Sequence, residues 1–133
     1  MIVETRKKDF AYRGKTLEEL KELDVREFAK YLKARSRRSV LRNFQELEKF
    51  VTLCKEKTAK GKKIRTHKRD LVIVPEMVGM KIQVYSGNAF VPIEIIGEMI
   101  GHRLGEFAPG RKKVSHGSAG IGSTKGSKHK SKK

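Results

Sequence analysis

From residue 111 to residue 133 the chain carries eight Lys or Arg, no Asp or Glu, and only Val114 and Ile121 as bulky apolar side chains. Such a segment cannot offset the entropy of ordering itself. Any core must therefore come from the first 110 residues. Gly117, Gly120, Gly122 and Gly126, spaced by Ser and Lys, complete a tail that is expected to be disordered until a partner rich in phosphates orders it. Upstream the balance changes twice. Residues 1–60 hold 17 basic and 10 acidic side chains, and residues 61–110 hold 7 and 5. The expected organisation is an N-terminal helical extension over 1–60, an α+β core over 61–110 and the basic tail over 111–133. Leu, Ile, Val and Phe number 34 of 133 residues, about a quarter. That exceeds the ~20% below which a charged chain is expected to stay unfolded.

The formal net charge of +17 is far more than folding requires. Self-repulsion on that scale points to a polyanionic partner, either nucleic acid or an anionic membrane surface. One cysteine, Cys54, cannot form an intrachain disulfide. The opening MIVETRKKDF lacks the apolar stretch of a signal peptide. The densest apolar run, Leu71-Val72-Ile73-Val74, stops at Pro75, far short of the ~20 residues a spanning helix needs. An intracellular chain with no membrane span is expected.

Thr16 followed by Glu19 fits a capping box, so a short helix should begin there and end near Asp24. Asp24 with Glu27 suggests a second. Val25, Phe28, Ala29 and Leu32 fall on one helical stripe, and Arg35, Arg37 and Arg38 would sit at its negative C-terminal end. A longer helix is expected from Ser39, with Val40, Phe44, Leu47, Val51 and Cys54 as its apolar face and Gly61 as its stop. Cys54 then reads as a small packed hydrophobe. Beyond residue 60 the period becomes two. Lys81 to Tyr85 and residues 90–95 read as strands joined through Ser86-Gly87-Asn88, with Pro92 confined to an edge. Ile64-Arg65-Thr66-His67 reads as a further strand, residues 71–74 as a buried connection, and residues 98–102 as one or two helical turns closing at Gly105.

Signs of catalysis are missing. His67, His102, His116 and His129 have no helical zinc spacing, and one cysteine builds no ligand set, so no metal, cofactor or enzymatic activity is expected. Residues 117–122 and 120–125 match neither a dinucleotide fingerprint nor a P-loop. Gly97, Gly101 and Gly105 are expected to mark caps or close backbone approaches. Nucleic-acid signals are better. Lys62, Lys63, Arg65, His67, Lys68 and Arg69 place six potentially cationic side chains in eight positions. Strand alternation sends Lys63, Arg65 and His67 to one face. Residues 35–42 form a softer cluster. No RNP-type aromatic motif, GXXG loop or zinc finger is present, so recognition should run through phosphate and shape with little base reading.

A longer series now carries a resemblance. Ile64-Arg65-Thr66, Val74-Pro75-Glu76-Met77-Val78-Gly79, Ile82-x-Val84-Tyr85-x-Gly87, Phe90-Val91-Pro92-Ile93-x-Ile95 and Met99-Ile100-Gly101-His102-x-Leu104-Gly105-Glu106-Phe107-Ala108-Pro109 span roughly residues 62–111. Together they resemble the universal S-nineteen family of small-ribosomal-subunit proteins. Tyr12-Arg13-Gly14-Lys15 and His116-Gly117-x-x-Gly120-Ile121-Gly122-x-Thr124 resemble its archaeal and eukaryotic branch, whose eukaryotic member is called S-fifteen. The lysine-rich end, residues 128–133, departs from that branch. The resemblance implies an α+β fold with a small, mainly antiparallel sheet, set in the head of the small subunit. It implies rRNA as ligand, an S-thirteen family protein as neighbour, and a tail reaching toward the decoding region and A-site tRNA. The rRNA-facing candidates are Lys62, Lys63, Arg65, His67, Lys68, Arg69, Lys81, Asn88, His102, Arg103, Arg111, Lys112 and Lys113. Further along the tail, His116, Lys125, Lys128 and Lys130 are candidates for RNA or tRNA. No homo-oligomer is expected. A free DNA-compacting protein is the alternative that the charge also permits.

Overall fold

The computed structural model describes residues 9–115, Gly117, Gly120 and residues 124–129. His116 and Lys130, both tail candidates, lie outside the described residues. The fold is α+β. A two-residue hairpin, β1 (Ala11–Tyr12) and β2 (Lys15–Thr16), leads into α1 (Leu17–Glu22), α2 (Val25–Ala29), α3 (Ala34–Arg42) and α4 (Phe44–Ala59). A three-stranded sheet follows, with β3 (Ile64–Thr66), β4 (Lys81–Tyr85) and β5 (Phe90–Glu94) in that spatial order. Short 3-10 turns occupy Pro75–Met77, Gly97–Met99 and Leu104–Phe107.

The capping box at α1 forms as expected: Thr16 Oγ1 accepts from the Glu19 N–H, and the Glu19 carboxylate accepts from the Thr16 N–H. Asp24 does occupy the N-cap of α2, but its side chain makes no capping bond there. The stripe Val25, Phe28, Ala29 and Leu32 is buried, although α2 itself stops at Ala29. Arg35, Arg37 and Arg38 therefore lie inside α3 and do not end the preceding helix. Arg37 nevertheless reaches the expected place through space. Its guanidinium donates to the carbonyls of Ala29, Lys30 and Leu32 at 2.9–3.1 Å, satisfying the open end of α2.

The single helix expected from Ser39 is two helices. Asn43, at φ −105° and ψ 26°, ends α3 and starts α4, and its competing polar side chain disfavours a helix interior. Val40 thus packs from α3, while Leu47, Val51 and Cys54 pack from α4. Gly61 at φ +64° closes α4 in a Schellman arrangement: Lys62 N–H donates to Lys57 and Gly61 N–H to Thr58.

The small sheet is mixed, and the longer of its two ladders is antiparallel. β3 runs parallel to β4, and β4 pairs antiparallel with β5 in the foreseen hairpin. Residues 67–80 carry the chain back along the buried Leu71, Val72, Ile73 and Val74 before Pro75 turns it, so β4 starts in the same direction as β3. Pro92 lies on β5, an outer strand, as its missing N–H demands. The turns expected over residues 98–102 are two separate 3-10 turns, and the second contains Gly105.

One core joins the helices to the sheet: Leu20, Phe28, Leu32, Leu47 and Cys54 cluster with Ile73, Met77, Ile82, Val84, Ile95 and Leu104. The three glycines spaced by four are close approaches, as their sequence context suggested. A Cβ on Gly97 would sit 2.9 Å from the Phe10 ring, one on Gly101 2.9 Å from Tyr12 Oη, and one on Gly105 2.9 Å from the Arg69 carbonyl oxygen. They seat the N-terminal hairpin and the strand-to-loop crossing on the core. The hairpin itself was a missed element. Arg13 and Gly14 both have positive φ, the pairing that a type I′ turn requires.

Candidate nucleic-acid interface

After Gly61 the backbone extends, and Ile64 and Thr66 turn inward while Lys63, Arg65 and His67 are exposed. Strand alternation thus delivers the three cationic positions to one side. Arg65 is held in place there. Its Nε donates to Gln83 Oε1 at 3.0 Å, and its guanidinium stands 5.3 Å from the centre of the Phe90 ring. His67 lies 4.6 Å from the Tyr85 ring and 5.2 Å from Phe90.

Beside β3, a groove opens toward α3 and α4. Arg26, Arg42, Lys49, Lys57, Arg65 and Lys68 line it, with Glu46 as the one acidic side chain among its described residues. Lys68 pairs with Glu46, and Arg26 stacks 4.1 Å from the centre of the Phe44 ring. Exposed Leu41 and Leu53 lie on its apolar part. Arg42, from the softer arginine cluster, and Arg65, His67 and Lys68, from the stronger β3 cluster, therefore meet across one depression, a convergence that neither segment reveals alone.

Arg69 is placed differently from its neighbours. Its half-buried guanidinium donates to the carbonyls of Tyr85 at 2.6 Å, Gly105 at 3.0 Å and Ala108 at 2.5 Å. It ties β4 to the 3-10 turn Leu104–Phe107 and the residue after it, and those donors face protein carbonyls. Arg103 donates to Ser39 Oγ at 3.2 Å. His102 is exposed, hydrogen-bonded to Glu106 at 2.7 Å, with its ring edge-on to Phe107. Lys62, Lys63, Lys81 and Asn88 are exposed, and Arg111, Lys112 and Lys113 continue the exposed surface where the tail begins. Gly110 brings that start close to the hairpin: a Cβ there would meet the Ser86 carbonyl oxygen at 3.4 Å. Lys125 and Lys128 are exposed around a 3-10 turn, Lys125–Ser127, away from the described β3 cluster in sequence. Tyr85, Phe90 and Gln83 were not among the expected contact residues. Period-two alternation could have found Gln83 and Tyr85, which share a face of β4 with Lys81, and the hairpin register sets Phe90 opposite Tyr85.

Chemistry of other kinds has little to stand on among the described residues. No group of His, Cys, Asp and Glu could hold a metal ion, and no helix is long and apolar enough to cross a membrane. Cys54 is buried, which pushes its thiol up to about 11.

An α+β core with a small sheet is what the resemblance implied, and comparison with known proteins decides the family. The family model "Ribosomal protein S19" matches residues 6–116. The chain belongs to this ribosomal protein family. The match takes in α1 to α4 as well as the sheet, so the helices lie within the family's own extent. Two archaeal relatives, both named small ribosomal subunit protein uS19, are 48% identical. The one from Methanococcoides burtonii aligns over 124 residues, 92% of this chain and 88% of its own length. The one from Methanocella arvoryzae aligns over 125 residues, 93% and 87%.

Proposed function

We propose that this chain is a structural component of the small ribosomal subunit that binds small-subunit rRNA through the outward face of β3 and the adjoining groove. The observation that carries this reading is the convergence of Arg65, His67 and Lys68 with Arg26, Arg42, Lys49 and Lys57 around one depression, with Lys63 exposed beside it, in a member of a ribosomal protein family. Lys62, Lys81, Asn88, His102, Arg111, Lys112 and Lys113 extend the contact surface. Arg103 contributes from its partly exposed position, and Arg69 acts by fixing the loop that carries the tail. Phosphate neutralisation supplies affinity, and the rigid sheet supplies register.

Family membership supports a cytoplasmic ribosomal location, and the reading extends it to a place in the head of the subunit next to an S-thirteen family protein. The tail, with His116, Lys125, Lys128 and Lys130, extends toward the decoding region and A-site tRNA. Sucrose-gradient fractionation of lysate containing the tagged chain tests the central claim. Co-sedimentation with the small subunit, persisting after a moderate salt wash, is expected. Recovery only in the free or DNA-bound fraction would replace this reading with a DNA-compacting one.

A further inference from the structure

The outer face of the sheet carries more than charge. His67 follows β3, Tyr85 ends β4 and Phe90 begins β5, and the strand register brings all three to one end of the sheet: Thr66 lies opposite Val84, and Tyr85 opposite Phe90. The rings touch pairwise, with centres at 4.6 Å for His67 and Tyr85, 5.2 Å for His67 and Phe90, and 5.2 Å for Tyr85 and Phe90. None is buried: His67 is exposed, and Tyr85 and Phe90 are half-buried. The Tyr85 hydroxyl donates to the Gly87 carbonyl at 3.1 Å, which fixes the tilt of its ring. Arg65 extends the patch, its guanidinium pinned by Gln83 and set over Phe90. These are three aromatic side chains and one immobilised guanidinium where solvent alone would favour Lys or Thr.

Cations flank the patch. On one side Lys63 and Lys68 border β3. On the other, the chain passes Ser86 at Gly110 and continues as Arg111, Lys112 and Lys113. A ligand fitting this surface has a flat π-face between two negative charges, which is an unpaired nucleotide within a strand. Every base presents such a face, so stacking of this kind tolerates sequence.

We propose that His67, Tyr85, Phe90 and Arg65 form a stacking platform for a single unpaired nucleobase, with Lys68 and the start of the tail holding the flanking phosphates. The proposal rests on the RNA-binding reading and adds to it a contact to a base, where phosphate and shape alone were expected.

The test uses the full chain and a short single-stranded oligoribonucleotide with one central 2-aminopurine, compared with the same strand carrying an abasic site there. Stacking predicts quenched 2-aminopurine fluorescence on binding. It also predicts affinity lower by about 5- to 150-fold for the abasic strand. Tyr85→Leu and Phe90→Leu should abolish the quench and the abasic discrimination while leaving the salt dependence of binding intact. Equal affinity for both strands, with a normal salt slope, overturns the platform and leaves the RNA-binding reading standing. Absence of binding to either strand overturns both. The abasic comparison uses the unaltered protein, so a variant that fails to fold does not decide the outcome.

Discussion

Lys68 and Arg69 are adjacent and both basic, yet their side chains do different things. Lys68 pairs with Glu46 at an exposed site, an interaction that contributes at most about 1 kcal/mol. Arg69 satisfies three carbonyls from two segments distant in sequence. Arg69→Gln is expected to destabilise the protein by about 2–4 kcal/mol in chemical denaturation, because charge-assisted bonds disappear and acceptors are stranded. Lys68→Gln should change stability by less than about 1 kcal/mol, its effect appearing in RNA affinity. Equal stability losses for the two would contradict the assignment of Arg69 as a clamp. Cys54 makes a third prediction at this scale. Its folded thiol is pushed up to about 11 from an ordinary 9.0, with burial as the larger cause and the nearby Lys57 charge opposing it. The folded state therefore keeps a proton that the unfolded state releases. This contribution to stability is fully present below pH 9.0 and is lost as pH rises toward about 11. Urea titrations across that interval should show the decline, and Cys54→Val should flatten it.

Among the elements, the amphipathic stripes were legible because burial needs them at helical spacing, and Phe28, Leu47, Val51 and Cys54 all became core. Element boundaries were harder. The stripe from Val40 to Cys54 runs unbroken across Asn43, since a small change of direction between two helices does not disturb the apolar spacing. The β1–β2 hairpin is too short to show alternation; only the Arg13-Gly14 pair signalled it. Its attachment is testable at Gly97, and the crossing at Arg69 is testable at Gly105. Gly97→Ala presses a methyl group onto Phe10, a side chain that can shift, and should cost about 1–2 kcal/mol. Gly105→Ala presses onto the backbone carbonyl of Arg69, which cannot withdraw without moving the crossing, and should cost about 2–4 kcal/mol. In a double-mutant cycle, Phe10→Ala should relieve the first penalty and leave the second unchanged.

For the whole molecule, the basic tail and the core separate in both composition and packing. The hydrophobic cluster draws nothing from beyond Ala108 among the described residues. Removing residues 111–133 deletes eight cations and no acids, taking the net charge from +17 to +9. The truncated protein is expected to unfold at nearly the same temperature. Its RNA affinity should fall, and the magnitude of its salt slope should drop by ~0.7–0.9 for each phosphate that the tail no longer neutralises. Unchanged affinity and slope after truncation would remove the tail from the binding surface.

What the sequence determined by itself was which residues could be buried, where the period changes from helix to strand, and how the charge is divided along the chain. Those properties depend on composition and local spacing, and the motifs over residues 62–111 were enough to indicate the family. Tertiary structure decided how the cations are used. Arg37 caps a helix it does not belong to, Arg69 clamps the end of β4 to the segment 105–108, and Arg65 is pinned over Phe90, because carbonyls and rings from other segments come within reach only after the chain has packed. It also decided the direction of β3 against β4, which depends on how a buried connection crosses the core. The excess of positive charge pointed to a polyanion; packing selected which of those charges remain facing solvent to meet it.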